Sequence, residues 1–276
     1  MKGNNVIKLI ASDLDGTLLD DEKRLPGDFF EVLDELWAHR IIFVVASGRT
    51  YSAVEHLFPE EYRDKISYIC DNGACTYTNG SGRADGIFPL DRGLYEELLE
   101  KCGQIGGFDL VVCASSGVFH ENDDEEFSRD VGLYYKQHEV IDDFRKIEGD
   151  IYKLAIGDKL GTVTHGKPII DSIFGERLNV QASGEEWMDV MAGGVSKGRA
   201  LRALQEKLGI SREETMAFGD YFNDVDMLAA AEYSFCMENG SEEVKKLCRF
   251  IAPEGGVTKC IRELALQGDT DYSRNL

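Results

Sequence analysis

Val6-Ile7-Lys8-Leu9-Ile10-Ala11 runs directly into Ser12-Asp13-Leu14-Asp15-Gly16-Thr17-Leu18. The first six residues are short, aliphatic and rich in β-branched side chains, a pattern that predicts a buried strand. Asp13 and Asp15 are then carried to the carboxyl end of that strand, and Gly16 supplies a sharp turn. Like charges two residues apart repel, and a chain tolerates this where a divalent cation or a shared proton compensates. An aspartate can also attack phosphorus to give an acyl phosphate while its partner exchanges a proton with the leaving group. Taken alone, Asp-x-Asp-Gly reads more simply as a helix cap or Asx turn, so the rest of the chain decides.

Four further apolar runs end in small or polar residues: Ile41 to Ala46 before Ser47-Gly48-Arg49, Tyr68 to Cys70 before Asp71-Asn72-Gly73, Met216 to Phe218 before Gly219-Asp220, and Phe235 to Met237 before Glu238-Asn239-Gly240. Amphipathic stretches separate several of them. Phe30, Leu33, Leu36 and Trp37 define one expected buried helix face, and Leu201, Leu204 and Leu208 another. Strands alternating with helices predict an α/β fold with a doubly wound, Rossmann-like parallel sheet. Ligands of such sheets bind beyond the carboxyl ends of the strands, where the polar tips gather.

Roughly Gly80 to Glu186 reads differently, with acidic Glu121 to Glu126 and strand candidates at Leu110 to Val112 and Ile151 to Ile156. This segment is expected to be a second α/β domain, residues 81–186, inserted into a first built from residues 1–80 and 187–276. Asn79-Gly80-Ser81-Gly82 and Gly184-Glu185-Glu186 are the expected hinges. The polar C-terminal stretch from Gln267 to Leu276 is expected to fray.

A formal net charge of −21 over 276 residues opposes binding to nucleic acid or an anionic membrane. It also repels phosphorylated substrates, so any phosphate site must be positive locally, through a metal, a lysine and helix N-termini. The seven cysteines are scattered without a Cys-x-x-Cys pair, which suits reduced, buried thiols. With no cleavable hydrophobic leader after Met1 and no long apolar window, a cytoplasmic location is expected.

Gly219-Asp220-Tyr221-Phe222-Asn223-Asp224 adds two carboxylates four residues apart at another strand end. Alone they read equally as a capping arrangement; converging with Asp13 they suit Mg²⁺, a hard cation that takes oxygen ligands. Lys197, in Gly194-Val195-Ser196-Lys197-Gly198, sits at a helix N-terminus, where a cation is unfavourable unless an anion binds there or the side chain is solvated at the surface. Ser47-Gly48-Arg49 offers a hydroxyl and backbone N–H groups to a phosphate oxygen, and on its own is also an ordinary turn.

Asp13-Leu14-Asp15-Gly16-Thr17, Ser47-Gly48-Arg49, Lys197 and Gly219-Asp220 with Asn223-Asp224, in this order, together resemble the haloacid dehalogenase superfamily of phosphohydrolases. Asp71-Asn72-Gly73-Ala74, Gly194 to Gly198 and Met237-Glu238-Asn239-Gly240 resemble its Cof-type branch, in which a large α/β cap (type IIB) is inserted between the second and third motifs. Over the inserted segment the resemblance rests on length and position. It implies Asp13 as nucleophile and Asp15 as the acid that protonates the leaving alcohol and then activates water. It further implies Mg²⁺ held by Asp13, the backbone carbonyl of Asp15 and Asp220, with Asp224 orienting that shell. Ser47, Gly48, Lys197 and Asn223 become phosphate-site residues, Thr17 and Arg49 supporting ones. Tyr221 and Phe222 depart from the smaller residues common there and are expected to narrow the site's mouth. The expectation is a Mg²⁺-dependent phosphatase for a small phosphorylated metabolite, a sugar phosphate or cofactor precursor, with His120, His138, His165 and Lys167 as first specificity candidates. A sugar phosphomutase and a catalytically silent binding protein on the same fold are the alternatives.

Overall fold

The computed structural model describes residues 7–183 and 185–267. Its strands are β1 (Leu9–Asp13), β2 (Ile42–Ala46), β3 (Ile66–Cys70), β4 (Cys75–Tyr77), β5 (Gly86–Ile87), β6 (Phe108–Ala114), β7 (Gly117–His120), β8 (Glu139–Val140), β9 (Ile151–Asp158), β10 (Leu178–Ala182), β11 (Trp187–Ala192), β12 (Thr215–Gly219), β13 (Tyr233–Met237) and β14 (Phe250–Ala252). They form two sheets, ordered β14-β13-β12-β1-β2-β3-β4-β5 and β10-β11-β9-β6-β7-β8. The first is parallel from β14 to β3 and turns antiparallel at the β3–β4 hairpin. All five residues of β1 are buried, as a central strand covered on both faces requires.

From β1 the chain runs to β2 on one side and, after the insertion, to β12 on the other. The order therefore reverses at β1, and a parallel sheet opens a crevice at the carboxyl ends of such a pair. Register sets Ser12 beside Phe218, so Asp13 and Gly219 end the two strands side by side. The sheet packs through Leu9, Ala11, Val44 and Ala217 against Leu201 and Leu204 of the helix Lys197–Leu208. The helix Phe29–Ala38 buries Phe29, Val32, Leu33 and Leu36, whereas Trp37 is 50% exposed. The expected face was thus rotated by one residue: the i, i+3, i+4, i+7 stripe starts at Phe29, which packs edge-on to Phe43 with centroids 5.4 Å apart.

Residue contacts divide the chain into one unit of 1–47, 58–86 and 196–276 and another of 48–57 and 87–195. This differs from the expected insertion of 81–186. Trp187–Ala192 pairs antiparallel with both β9 and β10, so it is a middle strand of the second sheet and the chain returns only at Val195/Ser196. Glu185 and Glu186 accordingly sit in the connection between β10 and β11; Gly184, Val6 and the tail beyond Gln267 lie outside the described residues. The second sheet packs one face on the helices Arg92–Ile105 and Lys167–Phe174 through Leu98, Val112, Leu154, Ile156 and Ile170. All seven cysteines are free thiols. Among the described residues no helix is long and apolar enough to cross a membrane.

Candidate active site

Backbone geometry brings the first and last motifs together. Gly16 has φ +80°, and a Cβ there would stand 2.6 Å from Asp220 Oδ2, so the turn after Asp15 tolerates no side chain. Asn239 Nδ2 donates to the Gly16 carbonyl at 2.9 Å, tying the loop after β13 to the same turn. After β3, Asp71, Asn72 and Gly73 all have positive φ, and a Cβ on Gly73 would run into the Ser196 carbonyl. That close approach seats the start of the lysine helix on the Asp71–Gly73 turn.

Ser196 caps the helix by accepting from the Arg199 N–H at 3.1 Å and donates to Asp226 Oδ2, while Asp226 Oδ1 accepts from the Gly198 N–H at 3.2 Å. Lys197 is thereby fixed in the first turn, 1% exposed. Its Nζ donates to Asp13 Oδ1 at 2.5 Å and to Asp224 Oδ1 at 2.7 Å. These two carboxylates offset the cost of a cation at the positive end of a helix. Asp224 is fully buried, and its other oxygen accepts from the Asp220 and Tyr221 N–H groups at 3.1 and 3.2 Å.

Carboxylate oxygens of Asp13, Asp220 and Asp224 lie within 4.8 Å of one another. Burial, then repulsion from Asp224 against the attraction of Lys197, leaves the Asp13 carboxyl raised to about 7. Burial and Asp224 likewise raise Asp220 to about 6. The Lys197 ammonium is held above its ordinary value by Asp13 and Asp224 despite burial. Three carboxylates around one ammonium form a donor set that a hard divalent cation fits, since it would favour the charged forms of Asp13 and Asp220. Because both Asp224 oxygens already serve Lys197 and two backbone N–H groups, Asp13 and Asp220 are the side chains left to face such an ion.

The remaining expected residues fall in several places. Ser47 is buried; its N–H donates to the Ile69 carbonyl at 2.8 Å and its carbonyl accepts from the Asn72 N–H at 3.0 Å, so the loop after β2 is pinned to the end of β3. Asp15 is ion-paired with Lys23 at 2.9 Å, a contact nothing in the motif foretold. Asn223 Nδ2 lies 3.5 Å from Asn72 Oδ1, so its amide turns to the Asp71–Gly73 turn. Thr17, expected to support the site, has a buried hydroxyl with no hydrogen-bond partner among the described residues. Arg49 is half-buried, and Tyr221 and Phe222 are 57% and 54% exposed. In the inserted unit, His120 bonds to His138 at 2.9 Å, His165 to Asp158 at 2.9 Å and Lys167 to Asp171 at 2.7 Å. Each of those candidates is therefore engaged by a neighbour. A buried Lys153–Asp189 pair went unread; a lysine in mid-strand, inside an otherwise apolar run, was its only signal.

The switch point at β1, the three carboxylates and the buried lysine thus meet at the carboxyl ends of a parallel sheet, where open α/β folds bind their ligands. A family model of haloacid dehalogenase-like hydrolases matches residues 10–261. The chain belongs to that family and is a phosphatase within it. It is 28% identical to the 5-amino-6-(5-phospho-D-ribitylamino)uracil phosphatase YbjI of Escherichia coli K12, over 89% of this chain and 90% of that one. Among solved structures, a protein from Eubacterium rectale superposes with a TM-score of 0.84 at 28% identity, covering 94% of this chain and 99% of its own. The subclass IIB sugar phosphatase BT4131 shares the fold at 20% identity, TM-score 0.78, with 94% and 99% covered.

Proposed function

We propose that the chain is a Mg²⁺-dependent phosphatase that hydrolyses a small phosphorylated metabolite through an aspartyl phosphate on Asp13, with the inserted unit acting as a cap. The observation that carries this reading is Lys197, buried and shared between Asp13 and Asp224. A lysine so placed draws Asp13 toward its charged form and orients one carboxylate oxygen, as a nucleophile requires. The other oxygen of Asp13, one of Asp220 and the backbone carbonyl of Asp15 would hold the Mg²⁺, which supplies charge neutralisation to the phosphoryl oxygens when bound.

Asp13 attacks phosphorus in line, the P–O bond to the leaving alcohol breaks, and Asp15 gives that oxygen its proton. Asp15 then takes a proton from the water that attacks the acyl phosphate, releasing inorganic phosphate and the free Asp13 carboxylate. For this Asp15 has to exchange its contact with Lys23 for one with the leaving group. Ser47, the N–H groups of its loop and Lys197 bind the phosphoryl oxygens and stabilise the charge that builds there. The name of the Escherichia coli relative denotes a phosphorylated ribityl compound, which supports a sugar, polyol or cofactor-precursor phosphate as substrate here. The test is a panel of such esters assayed with and without Mg²⁺, against Asp13→Asn as the blank. Hydrolysis of some panel members by the wild type and of none by the variant is expected; equal rates in both would refute the assignment.

A further inference from the structure

One buried charge in the inserted unit has no part in the chemistry above. Leu154 and Ile156 of β9 enter that unit's main apolar cluster, so Lys153 and Ala155 point to the opposite face of the sheet. Asp189 of β11 lies directly across from Ala155, which puts it diagonal to Lys153 on the same face. The two side chains are 3% and 6% exposed, and Lys153 Nζ stands 3.2 Å from Asp189 Oδ2. An apolar pair of similar volume would often serve stability as well or better. A pair retained against that cost suggests a use.

The use is found at Gly48. Lys153 Nζ donates to the Gly48 carbonyl at 2.8 Å, across 105 positions of sequence. Gly48 opens the segment 48–57, which groups with the inserted unit, and it directly follows Ser47. Among the described residues all the peptides are trans, and a trans peptide carries its C=O and N–H on opposite edges of one plane. The Asn72 N–H, bonded to the Ser47 carbonyl, therefore fixes the direction of the Gly48 N–H. Lys153, bonded to the Gly48 carbonyl, fixes the direction of the Arg49 N–H in the same way. Those are the two backbone donors that this loop adds to the Ser47 hydroxyl. The ring of Tyr135 lies 5.7 Å from Lys153 Nζ and limits where the ammonium can move.

We propose that Lys153 is a positioning residue for phosphate binding: held by Asp189, it locks the Gly48–Arg49 peptide so that the loop after Ser47 presents its N–H groups in a set orientation. This rests on the phosphate-binding role given above to Ser47 and Gly48. The experiment measures hydrolysis of p-nitrophenyl phosphate and its inhibition by inorganic phosphate, with melting temperature as the check on folding. Lys153→Gln removes the charge and shortens the side chain, withdrawing its donor from the Gly48 carbonyl. The double variant Lys153→Met, Asp189→Leu removes the pair without stranding a charge. In both, the inhibition constant for phosphate and KM are expected to rise roughly tenfold, with kcat falling by less. Lys153→Arg, which retains donors at that length, should recover most of the loss. Ser47→Ala is the reference for the site itself. If Ser47→Ala weakens phosphate inhibition while either folded Lys153 variant leaves it within about twofold of wild type, the positioning role is overturned and the phosphatase reading stands. If Ser47→Ala also leaves it unchanged, the phosphate site has been misplaced and the inference falls with it. Should the double variant fail to fold, Lys153→Gln decides by the same criterion.

Discussion

The two units treat buried charge differently. At the carboxyl ends of β1 and β12, Asp13, Asp220, Asp224 and Lys197 are crowded by short motifs whose glycines and backbone N–H groups lock them in place. In the inserted unit, Lys153 and Asp189 come from strands far apart in sequence and meet only through the register of a sheet. The first arrangement is dictated locally and is net anionic, so it is poised for a cation; the second is balanced and serves to hold a backbone group. Crowded like charges point to chemistry, whereas a matched buried pair points to placement.

The strongest way to break this contrast is Asp13→Asn. An amide fills the same space and cannot attack phosphorus, so turnover should fall by about a thousandfold or more while the melting temperature stays near that of the wild type. Steady-state assay and thermal melting together check it.

Lys197→Ala should come next, with kcat lowered about a hundredfold, because the phosphoryl oxygens lose a charge and Asp13 its orienting partner. Lys197→Arg should rescue little, since a planar fork does not fit between two carboxylates set for a compact ammonium. A wild-type kcat in Lys197→Ala would move that residue out of the chemistry.

Metal removal should act on the carboxylate cluster in a pH-dependent way. Both Asp13 and Asp220 have carboxyls raised above the ordinary 3.8, to about 7 and about 6. Their contribution to stability without metal is therefore fully present below about pH 4 and is lost as pH rises through 6 to 7. Mg²⁺ binds the charged form and competes with protons, so its stabilisation should be larger near pH 8 than near pH 5.5. Melting curves with EDTA and with Mg²⁺ at both pH values test this, and an equal shift at the two would contradict it. Activity should vanish in EDTA, return with Mg²⁺, and be inhibited by Ca²⁺, whose larger and looser shell misplaces the reacting groups.

The smallest effects belong to the surface of the inserted unit. His165→Ala and Lys167→Ala, each breaking one bond to a neighbouring aspartate, should alter the ranking of phosphate esters while changing hydrolysis of p-nitrophenyl phosphate by less than about threefold. A uniform loss across all esters would assign these residues to stability alone.

Much of this could be read from sequence because the informative signals were local. Five apolar runs each ended in a polar tip, and those tips carried Asp13, Ser47 and Asp220 to one edge of the sheet. Periodicity misplaced the buried face of the first helix by one residue, since Phe29 and Phe30 are chemically alike and only packing on Phe43 distinguishes them. The return from the insertion was expected too early because Gly184-Glu185-Glu186 reads in sequence as an exit from a domain, whereas Glu185 and Glu186 precede a strand that still pairs within the second sheet. Lys23 beside Asp15 and Lys153 beside Gly48 were invisible for a further reason: each contact depends on a fold of the chain that no motif spacing encodes.

During turnover Asp13 is expected to become phosphorylated. Rapid quenching during turnover, reduction of acyl phosphates with borohydride and peptide mapping by mass spectrometry test it directly, because reduction converts a phosphorylated aspartate to homoserine. Homoserine is expected at position 13, dependent on substrate and absent from unreacted protein. Undiminished turnover with no reduced residue at position 13, or with homoserine at Asp15 or Asp220 instead, would contradict it.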